Sequence, residues 1–179
     1  GDSGATAIGE GLKVNSSLLK LNLDYNKEMG DSGATAIGEA MKANSSLQVL
    51  ALTGNSIGNA GCEALVVGAV HAQSTSIIKL DLRHNQISQL PLVAAHLKTK
   101  QVDVTGNPLV FPPEAIAVQG WERTQQWLCD RVDQPELPLA RMRLFVVGHG
   151  GVGKTTLVRL LQGKAVDLDV LPMREWKHK

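Results

Sequence analysis

The chain has 179 residues, with 18 Lys plus Arg against 17 Asp plus Glu and a formal net charge of +1. That length fits one ordinary domain, or a domain with a fragment of a second, and suffices to bury a sizeable core; the near-zero charge gives no support to nucleic-acid or anionic-membrane binding by bulk electrostatics. Hydrophobic residues make up 43% but aromatics only 3%, so the core has to be built from Leu, Val, Ile and Ala, which favours a repetitive aliphatic architecture.

The longest apolar stretches, around Ala64 to Val70 and Leu144 to Val147, fall far short of the roughly 18 residues a membrane span needs, so no transmembrane segment is expected. Cys62 and Cys129 have neither metal-ligand nor disulfide-framework spacing. They read as small apolar core residues of a protein in a reducing, cytoplasmic compartment. The sequence opens at Gly1 without signal-peptide features, and a piece of a longer protein is expected. Residues 1–140 carry 10 basic and 14 acidic side chains, whereas residues 141–179 carry 8 and 3, which places a compositional boundary near 140.

From the first residue the chain repeats itself. Gly1 to Leu18 and Gly30 to Leu47 are identical at 15 of 18 positions, a tandem duplication. Beneath it runs L-x-L-x-x-N at Leu21, Leu23, Asn26; Leu50, Leu52, Asn55; Leu80, Leu82, Asn85; and Val102, Val104, Asn107. In a short strand the two apolar side chains of L-x-L point the same way, into a core, and the Asn beyond them can bond backbone where the chain turns. Between strands, Ala34, Ile37 and Met41 form an apolar helical stripe, repeated more loosely by Ala64, Leu65 and Ala69. Ala36, Gly38, Ala60, Gly61 and Gly68 are small enough for neighbouring helices to approach closely, and Asp31, Ser32 and Asn59 are expected helix caps.

Outward strand positions form the rows Asn22, Ala51, Asp81, Asp103 and Asp24, Thr53, Arg83, Thr105, with no charged or aromatic stripe evident. His71 and His84 lack partners at metal-ligand spacing and read as surface or turn residues. After Asn107 the run Pro108 to Pro113 is expected to stop the stack and cover its last edge.

A connecting helix is expected from Glu114 to about Val132, with Ile116, Trp121, Leu128 and Val132 on one side. Trp121 and Trp127 should pack on the last repeat or on the next domain. Pro135 and Pro138 mark a break. Arg141 to Val147 then reads as a strand covered on both faces, succeeded by G-x-x-x-x-G-K-T and an apolar helix through Leu157, Val158, Leu160 and Leu161 to Gly163.

This is a Walker A loop, and each residue type in it has a reason. Gly148, Gly150, Gly151 and Gly153 let the loop curl, so that amides from Gly151 through Val152 to Thr156 converge on phosphate oxygens at the positive end of a new helix. Lys154 is expected on the β- and γ-phosphates, Thr155 on Mg²⁺ and Thr156 beside the α-phosphate. His149 is read as incidental.

The periods and consensus of residues 1–112 resemble the leucine-rich repeat family, with long units first and a shorter one last. The expected fold is therefore α/β, a solenoid of parallel strands with outer helices, then the first β-loop-α unit of a P-loop domain. The divisions are 1–112 for the repeats, 113–140 for the connecting helix and linker, and 141–179 for the truncated nucleotide domain. Strand positions of such an array are a natural surface for a protein partner or another domain of the same chain.

Repeats, connecting helix and Walker A loop in that order resemble the Roc ("Ras of complex proteins") proteins of the ROCO family. The resemblance implies GTP or GDP with Mg²⁺, slow GTP hydrolysis in signalling, and homodimerisation through a downstream domain. The switch Thr, D-x-x-G and N-K-x-D of a Ras-like domain do not occur after Thr156, so no general base can be named and the 179 residues by themselves are expected to bind nucleotide poorly. GHGGVGKTTL is also similar to the loop of NOD-like signal-transduction ATPases, which usually carry their repeats after the ATPase. A plain repeat scaffold for protein binding is the third reading.

Overall fold

In the computed structural model the described residues are 1–72 and 77–132. The expected linker at 133–140, the strand at 141–147 and the loop and helix beyond them lie outside the described residues. Four three-residue strands form one parallel sheet in sequence order: β1 (Lys20–Asn22), β2 (Val49–Ala51), β3 (Lys79–Asp81) and β4 (Gln101–Asp103). The register aligns Leu21, Leu50, Leu80 and Val102 in one row, so the L-x-L motif sets strand position as its alternation requires.

The helices α1 (Asp2–Val14), α2 (Asp31–Ala43) and α3 (Asn59–His71) return from one strand to the next. The shorter step between β3 and β4 leaves no room for a 13-residue helix and is filled by a 3₁₀ helix, Leu92–His96. Ala34, Ile37 and Met41 are buried as the helical stripe requires. In α3 the buried positions are Gly61, Cys62, Leu65, Val66 and Gly68, so Cys62 and Val66 take the place expected of Ala64 and Ala69. Among the described residues no helix is long and apolar enough to cross a membrane.

Adjacent helices are nearly in backbone contact. A Cβ on Gly9 would lie 2.8 Å from the Ala36 carbonyl oxygen; on Gly38 it would strike the Ala64 carbonyl, and on Gly68 that of Gly38. These positions are therefore closed to any side chain without the helices moving apart.

The helix caps differ from expectation in an instructive way. The N-caps of α2 and α3 are Gly30 and Gly58, and neither helix start is held by a side-chain bond from its N-cap residue. Instead Asp2 Oδ1 accepts from the N–H groups of Gly30 and Gly33 at 2.8 and 2.9 Å. Asp31 Oδ1 accepts from Gly58 and Gly61 at 2.7 and 2.9 Å. Asn59 Oδ1 accepts from Ser88 and Gln89 at 2.8 and 2.9 Å. Asp31 does cap a helix, but that of the next repeat; Asn59, expected as a cap, closes none and instead holds the turn at Ser88 and Gln89 ahead of the 3₁₀ helix. Ser32 is exposed and takes no part in this. The C-terminus of α1 is tied the same way, since Asn44 Nδ2 donates to Leu12 O and Asn15 O while its Oδ1 accepts from Ser46 and Leu47 N–H. Orphan amides and carbonyls at the helix ends are thus satisfied by a neighbouring unit.

Below the strands runs a ladder of asparagines. Asn85 Nδ2 donates to Leu52 O and Leu82 O, and its Oδ1 accepts from Ile57 N–H; Asn107 does the same with Leu82, Val104 and Ile87. Asn55 donates to Leu23 O and Leu52 O, but its buried Oδ1 has no partner. The cause lies one repeat earlier. Two residues, Lys27 and Glu28, separate Asn26 from Met29, where only Ser56 separates Asn55 from Ile57. The longer turn closes on itself, Met29 N–H donating to Asn26 O at 2.8 Å, and the amide that would have met Asn55 is used up.

The connecting helix is broken in two, α4 (Glu114–Ala117) and α5 (Trp121–Val132), at Gly120 with φ +99. The apolar pattern predicts one continuous helix from Glu114 to Val132, but the break lets α5 turn onto the last repeat. There Leu128 and Thr124 are buried, whereas Val132 is exposed. Trp121 Nε1 donates to Thr99 O, and Gln125 Nε2 to Ala95 O and Leu97 O. The Trp127 ring meets Phe111 edge-on at 5.1 Å and lies 4.1 Å from the Arg131 guanidinium. Both tryptophans therefore pack on the last repeat. The covering of β4 leaves a groove of about 210 Å³ between that strand and Val118 and Trp121.

Because Asp31 serves the next repeat, Asp31→Ala should lower unfolding free energy by about 0.5–2 kcal/mol, while Ser32→Ala should change it by less than about 0.5 kcal/mol. Urea unfolding followed by circular dichroism measures both. Equal effects would return the capping role to the helix that Asp31 begins.

Candidate interaction surface

On the strand face away from the helices, side chains at equivalent positions stand about one strand spacing apart, roughly 4.8 Å. Here they bond sideways across all four repeats. Asp24 Oδ1 accepts from Thr53 N–H at 2.7 Å, and Thr53 Oγ1 donates to Asp81 Oδ1 at 3.0 Å. Arg83 Nε and Nη2 each donate to the Asp81 carboxylate at 2.8 Å, a bidentate pair. Arg83 Nε also stands 3.7 Å from Asp103 Oδ2, and Asp103 Oδ1 accepts from Thr105 N–H and Oγ1 at 3.0 and 2.7 Å. The two rows that look featureless as letters therefore form one polar strip from Asp24 to Thr105.

Asp81 is only 4% exposed, which the outward position of its residue in the strand does not suggest. Burial alone would raise its pKa, but the hydrogen bonds from Arg83 and Thr53 and the Arg83 charge outweigh that and hold it below the ordinary carboxylate value. The same contacts push Arg83 up. The Asp81–Arg83 pair is consequently fixed in its ionised form at neutral pH, with Asp24 and Asp103 on either side of it.

Beside the strip lies a row of left-handed residues, Tyr25 (φ 58), Gly54 (φ 69), His84 (φ 52) and Gly106 (φ 76). Aromatic and glycine alternate for a packing reason. A Cβ on Gly54 would lie 2.7 Å from Tyr25 Cδ1, and one on Gly106 would strike the His84 ring. Tyr25 is 71% exposed and His84 is exposed, so His84 is a turn residue as expected. With Tyr25 it makes a discontinuous aromatic rim, which the rows of strand positions give no sign of.

Nothing in the described residues resembles a reaction centre. Among them no group of three or more His, Cys, Asp or Glu is placed to hold a metal ion. Cys62 is buried, and burial, then the charges of Asp31 and Glu63, push its thiol up to about 12, leaving it protonated and unreactive. Cys129 is partly buried, its Sγ 3.6 Å from Ala95 O. Gly148, Gly150, Gly151, Val152, Gly153, Lys154, Thr155 and Thr156, expected from the sequence to bind phosphate, lie outside the described residues.

The repeat geometry agrees with the comparison to known families. The Leucine Rich repeat family matches residues 14–38, 43–66 and 73–89, segments that carry β1, β2 and β3 and the first parts of α2 and α3. Among curated proteins none matches the chain.

The depressed pKa of Asp81 carries a stability consequence with a definite sign. Its contribution is full above the unfolded-state value near 4 and is lost as pH falls through the lower folded-state value. Asp81→Asn should therefore cost about 1.5–3 kcal/mol at pH 7, and the gap to the parent protein should close as pH is lowered below 4. Urea unfolding at pH 7, 4 and 3 checks it; a gap that widened on acidification would remove the ion pair as its source.

Proposed function

We propose that the leucine-rich repeats serve as a protein-binding scaffold through the strand face, and that the protein carrying them is a guanine-nucleotide switch. The observation that carries the first part is the laterally bonded strip. Its side chains are already held in one arrangement, so a partner meets a surface whose ordering cost was met on folding. Asp24, Tyr25 and Asp103 supply exposed or half-exposed acceptors and an aromatic face, the mixture common at protein interfaces. A protein partner, or another domain of the same polypeptide, is the occupant this favours.

The second part is supported by sequence. Gly148 to Thr155 spell G-x-x-x-x-G-K-T directly after an apolar run, and the order of repeats, connecting helix and loop resembles the ROCO proteins. In that reading Lys154 neutralises the β- and γ-phosphates, Thr155 holds Mg²⁺, and the amides from Gly151 through Val152 to Thr156 cradle the phosphate chain, which is positioning and charge stabilisation rather than covalent chemistry. Guanine selection and water positioning belong to motifs that do not occur after Thr156. The reading also brings with it a homodimer formed through a downstream domain.

Two measurements test the two parts separately. A photocrosslinking residue placed at Tyr25 should capture a protein partner in cell extract, while the same residue at Glu39, on the helix side, should not; capture from Glu39 alone would move the binding surface to the helices. Titration calorimetry of the 179 residues with GTP or GDP should give a Kd weaker than about 100 μM. In a longer version containing a complete nucleotide domain, Lys154→Ala should abolish binding without altering the thermal transition of the repeats. Micromolar binding by the short chain, or unchanged binding by the longer variant, would overturn this assignment.

A further inference from the structure

Among the described residues the sheet ends at β4, which has β3 on one side only. In a parallel ladder alternate residues direct their backbone groups at one neighbour, and the residues between them point the other way. Gln101 N–H donates to Ile78 O, while Asp103 O and Thr105 O accept from Leu82 and His84 N–H. Val102 and Val104 therefore turn their backbone groups to the free edge. Asn107 Nδ2 takes the Val104 carbonyl, so the ladder leaves over two N–H groups and the carbonyl of Val102.

Both valines border the groove of about 210 Å³ whose other wall is Val118 and Trp121. Past Val104 it is continued by a smaller hollow of about 60 Å³ that reaches Leu109 and Glu114. Each part is smaller than the roughly 300 Å³ at which small-molecule pockets begin; the shape is a channel beside a strand edge. Val118, 71% exposed, offers an apolar side to it. The charged side chains lining the channel are Asp103 and Glu114, and among the described residues no Lys or Arg lines it. Arg83, 3.7 Å from Asp103 Oδ2, offsets part of the first charge; Glu114 is exposed at the other end.

We propose that this channel binds an extended peptide that adds to β4 as a fifth strand and carries a basic residue between two apolar ones. In strand addition main-chain bonds supply affinity and alternate side chains supply specificity. The pairing uses the three groups left over: Val102 and Val104 N–H donate to peptide carbonyls, and Val102 O accepts from a peptide N–H. Peptide side chains level with Val102 and Val104 fall on the inner face, towards Trp121, and the one between them falls beside Asp103. The acidic lining selects a basic segment over an acidic one. Occupancy of this edge does not require the strand face to bind anything, although Asp103 belongs to both.

The probe is a capped peptide, Ser-Val-Lys-Val-Lys-Ser, titrated into the 179-residue chain and followed by two-dimensional amide NMR. Saturable binding with a Kd of about 0.1–1 mM is expected, with slower hydrogen exchange at Val102 and Val104 and no change at Gln101 and Asp103. Glu114→Lys should raise the Kd about threefold to tenfold, whereas Glu39→Lys, the same charge change on the helix side, should leave it unaltered. The peptide N-methylated at its three central amides, and the peptide with glutamate for both lysines, should not bind. No saturation at several millimolar, full binding by the N-methylated peptide, or equal effects of the two charge reversals would each overturn the proposal. So would protection of Val102 and Val104 that rises with protein concentration in the absence of peptide, which would make a second copy of the chain the occupant.

Discussion

A repeat of about 29 residues with a three-residue strand satisfies neither its own helix ends nor its own leucines, and this incompleteness governs the molecule. Helix starts are closed by the Asp of the preceding unit, helix ends by the Asn of the succeeding one, and turns by an Asn that reaches back to the strand before it. Each bond is ordinary in strength, about 1 kcal/mol net. Its importance is that the alternative is a buried amide or carbonyl with no partner, which costs more than the bond contributes. Stability of such an array is close to a sum over junctions, so residues that look local in sequence act across a junction. Glycines at the helix contacts belong to the same logic, because the short lateral bonds require backbones closer together than any side chain permits.

The strand face inherits its organisation from that stacking. Parallel register brings position 24 beside 53, lets the Thr53 hydroxyl reach diagonally to Asp81, and sets 83 between two carboxylates. No one of these pairs would hold two exposed side chains in water for long, since isolated surface pairs contribute little. Linked in series and backed by a half-rigid strand, they constrain one another. The buried Asp81 anchors the series, and the half-buried carboxylates of Asp24 and Asp103 stand at either end of it. An ordered polar surface thus arises from the junction geometry with no loop devoted to it.

Strand position and the α2 stripe are legible in the sequence, because each depends on periodicity within a unit; the α3 stripe is read at Ala64 and Ala69 but falls on Cys62 and Val66, and bulk apolar area shows that Trp121 and Trp127 are covered without choosing the last repeat as their partner. What is not legible depends on which atom lies alongside in the next unit. Asp31 sits where an ordinary N-terminal carboxylate would sit, and nothing in its own repeat shows that it serves Gly58 and Gly61. The buried state of Asp81 comes from Arg83 folding back on it, which an alternating pattern of inward and outward positions cannot convey. Asn55 loses its acceptor bond to a one-residue difference in a turn 28 positions earlier. Gly120 stands within an apolar pattern that runs on past it, whereas its positive φ ends one helix and starts another. The proposed phosphate loop is the opposite case: that reading rests on residue identity and spacing at 148–155 alone, which need no neighbouring repeat.

The duplicated units offer an internal control on the junction argument, since they differ at only three of 18 positions. Leu12 and Met41 are both buried and similar in volume, an exchange a packed site accepts. Val14 and Ala43 are both exposed at the helix end. The third pair differs in environment: Ala40 is fully buried, whereas Gly11 is exposed and would meet nothing within 4 Å if it carried a methyl. At the one differing pair whose surroundings differ, a methyl is present on the covered side, Ala40, and absent on the open one, Gly11, while the identical pair Leu18 and Leu47 differ only in burial. Two nearly identical sequences therefore adopt the same fold while differing in burial, and the difference comes from what stands next to them.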